Sequence, residues 1–188
     1  MTQTSKEFPV YANGFENVNV KVLRFHNEPY SAIWNYYRRT WISLQDQDFD
    51  PANEFHIKAC EDVLARRALP TPLETIFVEF EITGLSRPAM SQITRQRIGA
   101  CFSCESQMPQ PVKPEVLIPK AILLNEKLKD KALELVKLSQ ELYEEMLENE
   151  IAFQDARYLL LHSQTMSLIA NMNVATLFGF YARRAENG

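Results

Sequence analysis

At 188 residues the chain is long enough for one domain with a full-sized core. Its 46% apolar and 23% charged residues are those of an ordinary globular protein, which excludes intrinsic disorder. A net charge of −4 excludes broad binding to nucleic acid polymers, which needs a dense cationic surface, yet a few convergent arginines still suffice for one phosphate.

Asn17 to Phe25 alternates, with Val18, Val20 and Val22 on one side, and reads as a half-buried strand. Pro29 opens an aromatic-rich helix through Trp34, Tyr37 and Trp41. The turn formers from Gln45 to Pro51 mark a loop, and a second helix covers Glu54 to Arg67, closed off by Pro70 and Pro72. Thr75 to Ile82 alternates again and is broken by Gly84. Ser86 then caps a helix with Pro88 in its first turn, running through Arg97 and ending near Gly99. Pro109, Pro111, Pro114 and Pro119 mark an irregular loop. Lys120 to about Glu150 is the longest helical pattern, and at about 45 Å it exceeds the width of a compact domain of this size, which suggests a partner. Further helices are predicted near Phe153–Leu161 and Asn171–Arg183. The fold class is α+β, a single domain over residues 1–188.

No run approaches the roughly 20 apolar residues of a membrane span, and the first residues lack the apolar core of an export signal. Three cysteines, Cys60, Cys101 and Cys104, suit a reducing compartment. These features predict a cytoplasmic protein with no membrane partner.

Chemistry concentrates between Gly84 and Gln107. On a continuous helix Gln92 and Arg95 would share a face, while Arg97 would point elsewhere and serve a second ligand or a second subunit. The planar guanidinium fork suits phosphate, and a neighbouring glutamine can read a base or ribose edge. The plain alternative is a solvated cationic helix face.

Gly84, Ser86, Arg87, Gln92, Arg95, Arg97 and Ser106 together resemble the arginine-histidine-arginine segment of the flavin-dependent thymidylate synthases. Upstream, Thr71-Pro72-Leu73-Glu74 is similar to that family's Thr-Pro-x-Glu element. Downstream, Asp155-Ala156-Arg157-Tyr158-Leu159-Leu160 is similar to its acidic-Ala-Arg-x-x-Leu-Pro element, with Asn173 and Arg184 at the family's intervals.

The resemblance implies a small antiparallel sheet with long helices, and an oligomer, a homotetramer whose subunits share each site. It implies a methyltransferase that takes dUMP to dTMP with FAD, methylenetetrahydrofolate and NADPH. Gln92, Arg95, Ser106, Gln107, Arg157 and Arg184 would hold the pyrimidine mononucleotide, with Arg95, Ser106 and Arg184 at the reacting centre. Thr71, Glu74, Gln96, Arg97, Ile98, Ser103 and Asn173 would face the flavin. No enzyme nucleophile is needed; the site works by positioning and electrostatics.

Several positions depart from the family. Gln96 replaces the signature histidine, Met108 an arginine that contacts the pyrimidine, Ala175 another arginine, and Gly179 an asparagine. Ser103 and Cys104 replace a polar-acidic pair, and His162 or Leu161 stands where proline is expected. The base read could then be that of dCMP or UMP, with a methyl or hydroxymethyl product. The alternative function is a nucleotide-binding homologue or scaffold without catalysis.

Cys101-Phe102-Ser103-Cys104 is a lone Cys-x-x-Cys, weak evidence for a four-ligand zinc site, so no metal is assigned. Cys104 could attack C6 of the pyrimidine, but a small apolar filler is the plainer reading. Trp34, Tyr36, Tyr37 and Trp41 could stack a folate or flavin ring; core and interface packing is favoured. The acidic run Glu141, Glu144, Glu145 and Glu148 reads as a solvated face.

Overall fold

The computed structural model describes residues 10–13, 18–66, 69–106 and 115–185. Its strands are β1 (Val10–Asn13), β2 (Asn19–Phe25), β3 (Phe77–Ser86), β4 (Ala100–Cys104), β5 (Val116–Pro119) and β6 (Thr165–Asn173). The architecture is the α+β mixture with a small antiparallel sheet that the sequence implies; the order of that sheet is β2-β3-β6-β4. β1 and β5 form a separate parallel pair in which Val10 lies opposite Val116 and Asn13 opposite Pro119. The chain divides into two compact units, one of residues 1–21, 81–95 and 103–169, the other of 22–80, 96–102 and 170–188.

In the second unit, α1 (Pro29–Thr40), α2 (Glu54–Arg66), α3 (Pro70–Thr75) and α8 (Val174–Ala185) surround a core of Ile33, Trp34, Ala59, Cys60, Val63, Leu73, Ile76, Val78 and Val174. Trp34 has no exposed surface; its ring stacks on His56 at 3.8 Å and its indole N–H donates to the Gln47 carbonyl at 2.9 Å. A fully enclosed indole cannot stack a ligand, so Trp34 is core, as favoured from the sequence. Tyr36 and Trp41 stay exposed.

In the first unit, α4 (Arg87–Ile93), α5 (Lys120–Leu123), α6 (Lys129–Glu148), α7 (Phe153–Ala156) and a 3-10 turn (Arg157–Leu159) accompany the β1–β5 pair. Val116, Ile118 and Val136 form its small buried cluster with Ile122, Leu123, Leu133 and Leu161 packed against it. Ser139 on α6 donates to the Leu159 carbonyl at 2.7 Å and so fixes the 3-10 turn to the helix.

Several expected boundaries move, each for a local reason. Pro70 does not close a helix but opens α3, because its fixed φ suits a first turn and its missing N–H is not needed there. Gly84 does not end β3: at φ 75° it lets the strand continue to Ser86 through a conformation other residues resist. α4 stops at Ile93 rather than Arg97, with the Thr94 N–H closing on the Met90 carbonyl, so Arg95 lies past the helix and shares no helical face with Gln92. Of the expected proline loop, Pro109, Pro111 and Pro114 lie outside the described residues, and Pro119 is the last residue of β5.

The long helix is interrupted as well. Asn125 accepts from the Lys127 N–H at 3.1 Å, a side-chain turn that competes with helical bonding and separates α5 from α6. α6 has 20 residues, so it spans about 30 Å, and the length argument for a partner lapses. The helix expected at Phe153–Leu161 ends as α7 plus the 3-10 turn, and the one expected from Asn171 begins only at Val174, after β6. β2 forms where alternation predicts, but every residue of it is exposed, so no described element covers either face of it and the half-buried expectation fails.

Candidate functional site

Ser86 ends β3 and starts α4. Its hydroxyl accepts from the Ala89 N–H at 3.4 Å, satisfying one of the orphan donors of the first turn. Pro88 adds a residue preset for that turn. The short helix presents Arg87, Pro88, Met90, Ser91 and Gln92 to one side of a cleft in the first unit. The other side comes from the segment after α7, with Arg157, Tyr158, Leu160 and His162. The cleft has a volume of about 510 Å³, within the range of small-ligand sites.

Arg157 is half-buried and its Nε donates to the Gln154 carbonyl at 3.1 Å, which fixes the root of the guanidinium. Two guanidinium groups, an imidazole, a phenol and a carboxamide thus line one opening. Such a set can bind an anion through charge-assisted bonds and a polar ring edge through Gln92.

Gln92 and Arg157, both expected at the nucleotide, therefore line the same cleft, although 65 residues separate them (157 − 92). Arg95 and Ser106 are exposed and are not among its lining residues. Gln107 and Met108 lie outside the described residues. Neither Tyr158 nor His162 is expected at the nucleotide from the sequence; His162 stands where the resemblance implies proline and could join Cys101 and Cys104 in a metal set only by coincidence of fold.

In the second unit, residues 96–99 form a tight turn held by α8. Gln96 Oε1 accepts from Arg183 Nη2 at 2.7 Å, and Gln96 Nε2 donates to the Ile98 carbonyl at 3.2 Å. That carbonyl also accepts from the Thr176 hydroxyl at 2.9 Å, and the Asn173 N–H donates to the Gly99 carbonyl at 2.8 Å. Asn173 is buried, and its Oδ1 accepts from the Thr176 N–H at 2.8 Å, an N-cap for α8. Arg184, expected at the nucleotide, is exposed and stands over the ring of Phe180, 5.8 Å from its centroid.

The residues expected at the flavin divide accordingly. Thr71, Glu74, Arg97, Ile98 and Ser103 are exposed and offer a guanidinium, a carboxylate, two hydroxyls and an apolar side chain, of which the guanidinium and hydroxyls suit a pyrophosphate and the apolar side chain a flat ring. Gln96 is bonded to Arg183 of α8 and to the Ile98 carbonyl, and Asn173 Oδ1 caps α8. The chemistry of the exposed residues suits a flavin nucleotide, and Gln96 and Asn173 each also make bonds within the chain.

Cys104 is exposed, which contradicts the expected small apolar filler, and partial desolvation raises its thiol above the ordinary pKa, which disfavours the thiolate. No described helix is long and apolar enough to cross a membrane.

The fold is one that nucleotide methylases adopt. The UMP/dUMP methylase PolB from Streptomyces cacaoi superposes with a TM-score of 0.73 at 16% identity, covering 93% of this chain and 79% of that one. ThyX from Helicobacter pylori, solved with FAD and dUMP, gives a TM-score of 0.68 at 21% identity over 90% and 85% of the two chains. The chain belongs to the thymidylate synthase complementing protein family, whose model matches residues 21–188. A flavin-dependent thymidylate synthase of Pyrococcus abyssi is 26% identical over 173 residues, which cover 89% of this chain and 70% of that relative.

Proposed function

We propose that the protein is a flavin-dependent C5 methyltransferase of a pyrimidine mononucleotide, with dUMP as substrate and dTMP as product. The observation that carries this reading is the cleft of the first unit, where Gln92 and Arg157 line one opening with Arg87 and His162. Arg157 grips the phosphate and Gln92 reads the base or ribose edge. The resemblance adds Arg95, Ser106, Gln107 and Arg184 as nucleotide ligands, with Arg95, Ser106 and Arg184 at the reacting carbon. Arg97, Ile98, Thr71, Glu74 and Ser103 hold the FAD. Bound FAD supplies a hydride, methylenetetrahydrofolate the carbon and NADPH the reducing equivalents. The chain's own residues orient the base, neutralise the phosphate and supply no covalent nucleophile.

Assembly into a homotetramer with shared sites is part of this reading. What supports it is apolar surface: Leu128, Leu135, Leu138 and Leu142 stay exposed on or beside α6, as do Val20, Val22 and Phe25 on β2. The altered base-reading position leaves UMP and dCMP as competing substrates and hydroxymethyl as a competing product.

A non-catalytic nucleotide-binding homologue or scaffold is the second reading, favoured by the internal bonding of Gln96 and Asn173. The visible spectrum separates the two. A flavin band near ~450 nm, present on purification or gained on adding FAD, together with dTMP formation from dUMP, supports the enzyme. A colourless protein that binds dUMP without turnover supports the scaffold. Melting-temperature shifts with dUMP, UMP and dCMP rank the substrates, and a chain that none of them stabilises refutes both readings.

A further inference from the structure

In the cleft of the first unit, the Arg157 guanidinium suits a phosphate and the Gln92 carboxamide suits one hydrogen-bonding edge of a base. Both leave the flat faces of a pyrimidine uncovered. A hydrogen bond made at an open edge is exchanged for one with water and contributes little net. Covering a ring face is a separate gain, and it calls for a planar partner.

Of the residues lining this cleft, Tyr158 and His162 alone carry aromatic rings. Tyr158 has the larger face, and its side chain is 80% exposed, far more than is usual for a residue type of intermediate burial. Its backbone, by contrast, is held on both sides. Before it, Arg157 Nε donates to the Gln154 carbonyl at 3.1 Å; after it, the Leu159 carbonyl accepts from the Ser139 hydroxyl of α6 at 2.7 Å. The Leu160 N–H closes the 3-10 turn on the Arg157 carbonyl at 3.2 Å. An uncovered ring on an anchored turn, next in sequence to a half-buried guanidinium, is a platform beside an anion grip. Met90 and Leu160 add apolar surface to the same opening.

We infer that Tyr158 is the base-stacking residue of this cleft, packing its ring against one face of the pyrimidine. The inference rests on the nucleotide reading of the cleft and adds to it the group that recognises the base by its planarity. Stacking of this kind is indifferent to the pattern of donors and acceptors, so Tyr158 strengthens binding of any pyrimidine nucleotide and leaves the choice among them to the residues at the base edge.

Isothermal titration of the full chain with dUMP and with 5,6-dihydro-dUMP tests it. The second ligand keeps the phosphate and the O2–N3–O4 edge, but its saturated C5–C6 bond puckers the ring and spoils the flat face. Tyr158→Ala should weaken dUMP roughly tenfold, and dUMP should lose roughly fivefold or more beyond what the dihydro ligand loses. Tyr158→Phe keeps the face without the hydroxyl and should bind dUMP within about twofold of the parent. Because the side chain is exposed, neither substitution should move the melting temperature. Equal losses for the two ligands in Tyr158→Ala, or a planarity-dependent loss in His162→Ala in its place, would overturn the assignment. So would Tyr158→Phe binding as poorly as Tyr158→Ala. Parental dUMP affinity in Tyr158→Ala defeats this inference alone, whereas a parent chain that binds no dUMP defeats the nucleotide reading and this inference with it.

Discussion

Gly99→Ala tests the turn that carries Arg97 and Ile98. Gly99 has φ 65°, in the left-handed region, where a residue with a side chain pays about 1–2 kcal/mol. A Cβ there would fall 2.3 Å from Thr176 Oγ1 and 2.5 Å from Asn173 Nδ2, so both groups must move. Neither is a loose end. The Thr176 hydroxyl is bonded to the Ile98 carbonyl at 2.9 Å, and Asn173 is buried with its Oδ1 on the first turn of α8. Losing the cap costs about 1 kcal/mol and losing the hydroxyl bond about another. Together these give about 3–4 kcal/mol, or a fall in Tm of about 10 °C for a chain of this size. Far-UV circular dichroism melts of parent and variant measure it. The companion Gly99→Ala, Thr176→Ala should recover little, because Asn173 Nδ2 still blocks the Cβ. A variant melting within about 2 °C of the parent would show the turn to be soft and refute the reasoning.

Arg157→Gln should weaken dUMP roughly 10- to 100-fold, since a hydrogen bond to a charged group is worth about 1.5–3 kcal/mol; an unchanged Kd by titration calorimetry removes Arg157 from the phosphate. Cys60 has no exposed surface, and burial first, then the charge of Glu61, pushes its thiol from 9.0 up to about 11. The folded state thus holds the proton more tightly than the unfolded one, so this contribution is full below about pH 9 and is lost as pH rises through about 11, roughly 2–3 kcal/mol in all. Urea midpoints across that window should fall for the parent and fall less for Cys60→Ala; parallel curves contradict the assignment. Ser86→Ala removes a long capping bond of 3.4 Å and should cost about 0.5–1 kcal/mol, read as a small fall in Tm with a matching loss of dUMP affinity as α4 frays under Gln92; dUMP affinity that holds while Tm falls would separate the cap from the site.

What the sequence makes legible is local. Ser86 and Pro88 announce the start of α4, and the apolar alternation of Ile76, Val78 and Phe80 announces β3, because caps and period-two patterns act over a few residues. β6 carries the same signal in Met166, Leu168, Ala170 and Met172, and a helical reading begun at Asn171 hides its end. β1 and β5 escape for another reason: each is four residues, and their pairing joins positions 106 apart, as in Val10 with Val116 (116 − 10). The break before α6 is written in one side chain, Asn125, which propensity averaged over a long window overlooks. In the site, no spacing rule brings Gln92 to Arg157; only the resemblance does, and it passes over Tyr158.

Where the chain departs from its family's signature, the structure gives the departure a physical consequence. Glutamine at 96 is uncharged and has both a donor and an acceptor, and it uses them on two partners at once, the Arg183 guanidinium and the Ile98 carbonyl. A neutral histidine offers one ring donor and one ring acceptor on a rigid ring, and a protonated one would repel Arg183. Gln96 and Arg183 are therefore a matched pair: the substitution at 96 is tolerable where a cation stands at 183. The pair joins the segment after Arg95 to the far end of α8, beside Arg184, so a change at 96 is felt through the backbone of its neighbours. Departures of this kind rewire support within the chain, whereas Met108, where the resemblance implies an arginine, lies outside the described residues. If position 108 sets the base, Met108→Arg should shift the ranking of dUMP, UMP and dCMP by melting temperature, and an unchanged ranking removes it from base reading.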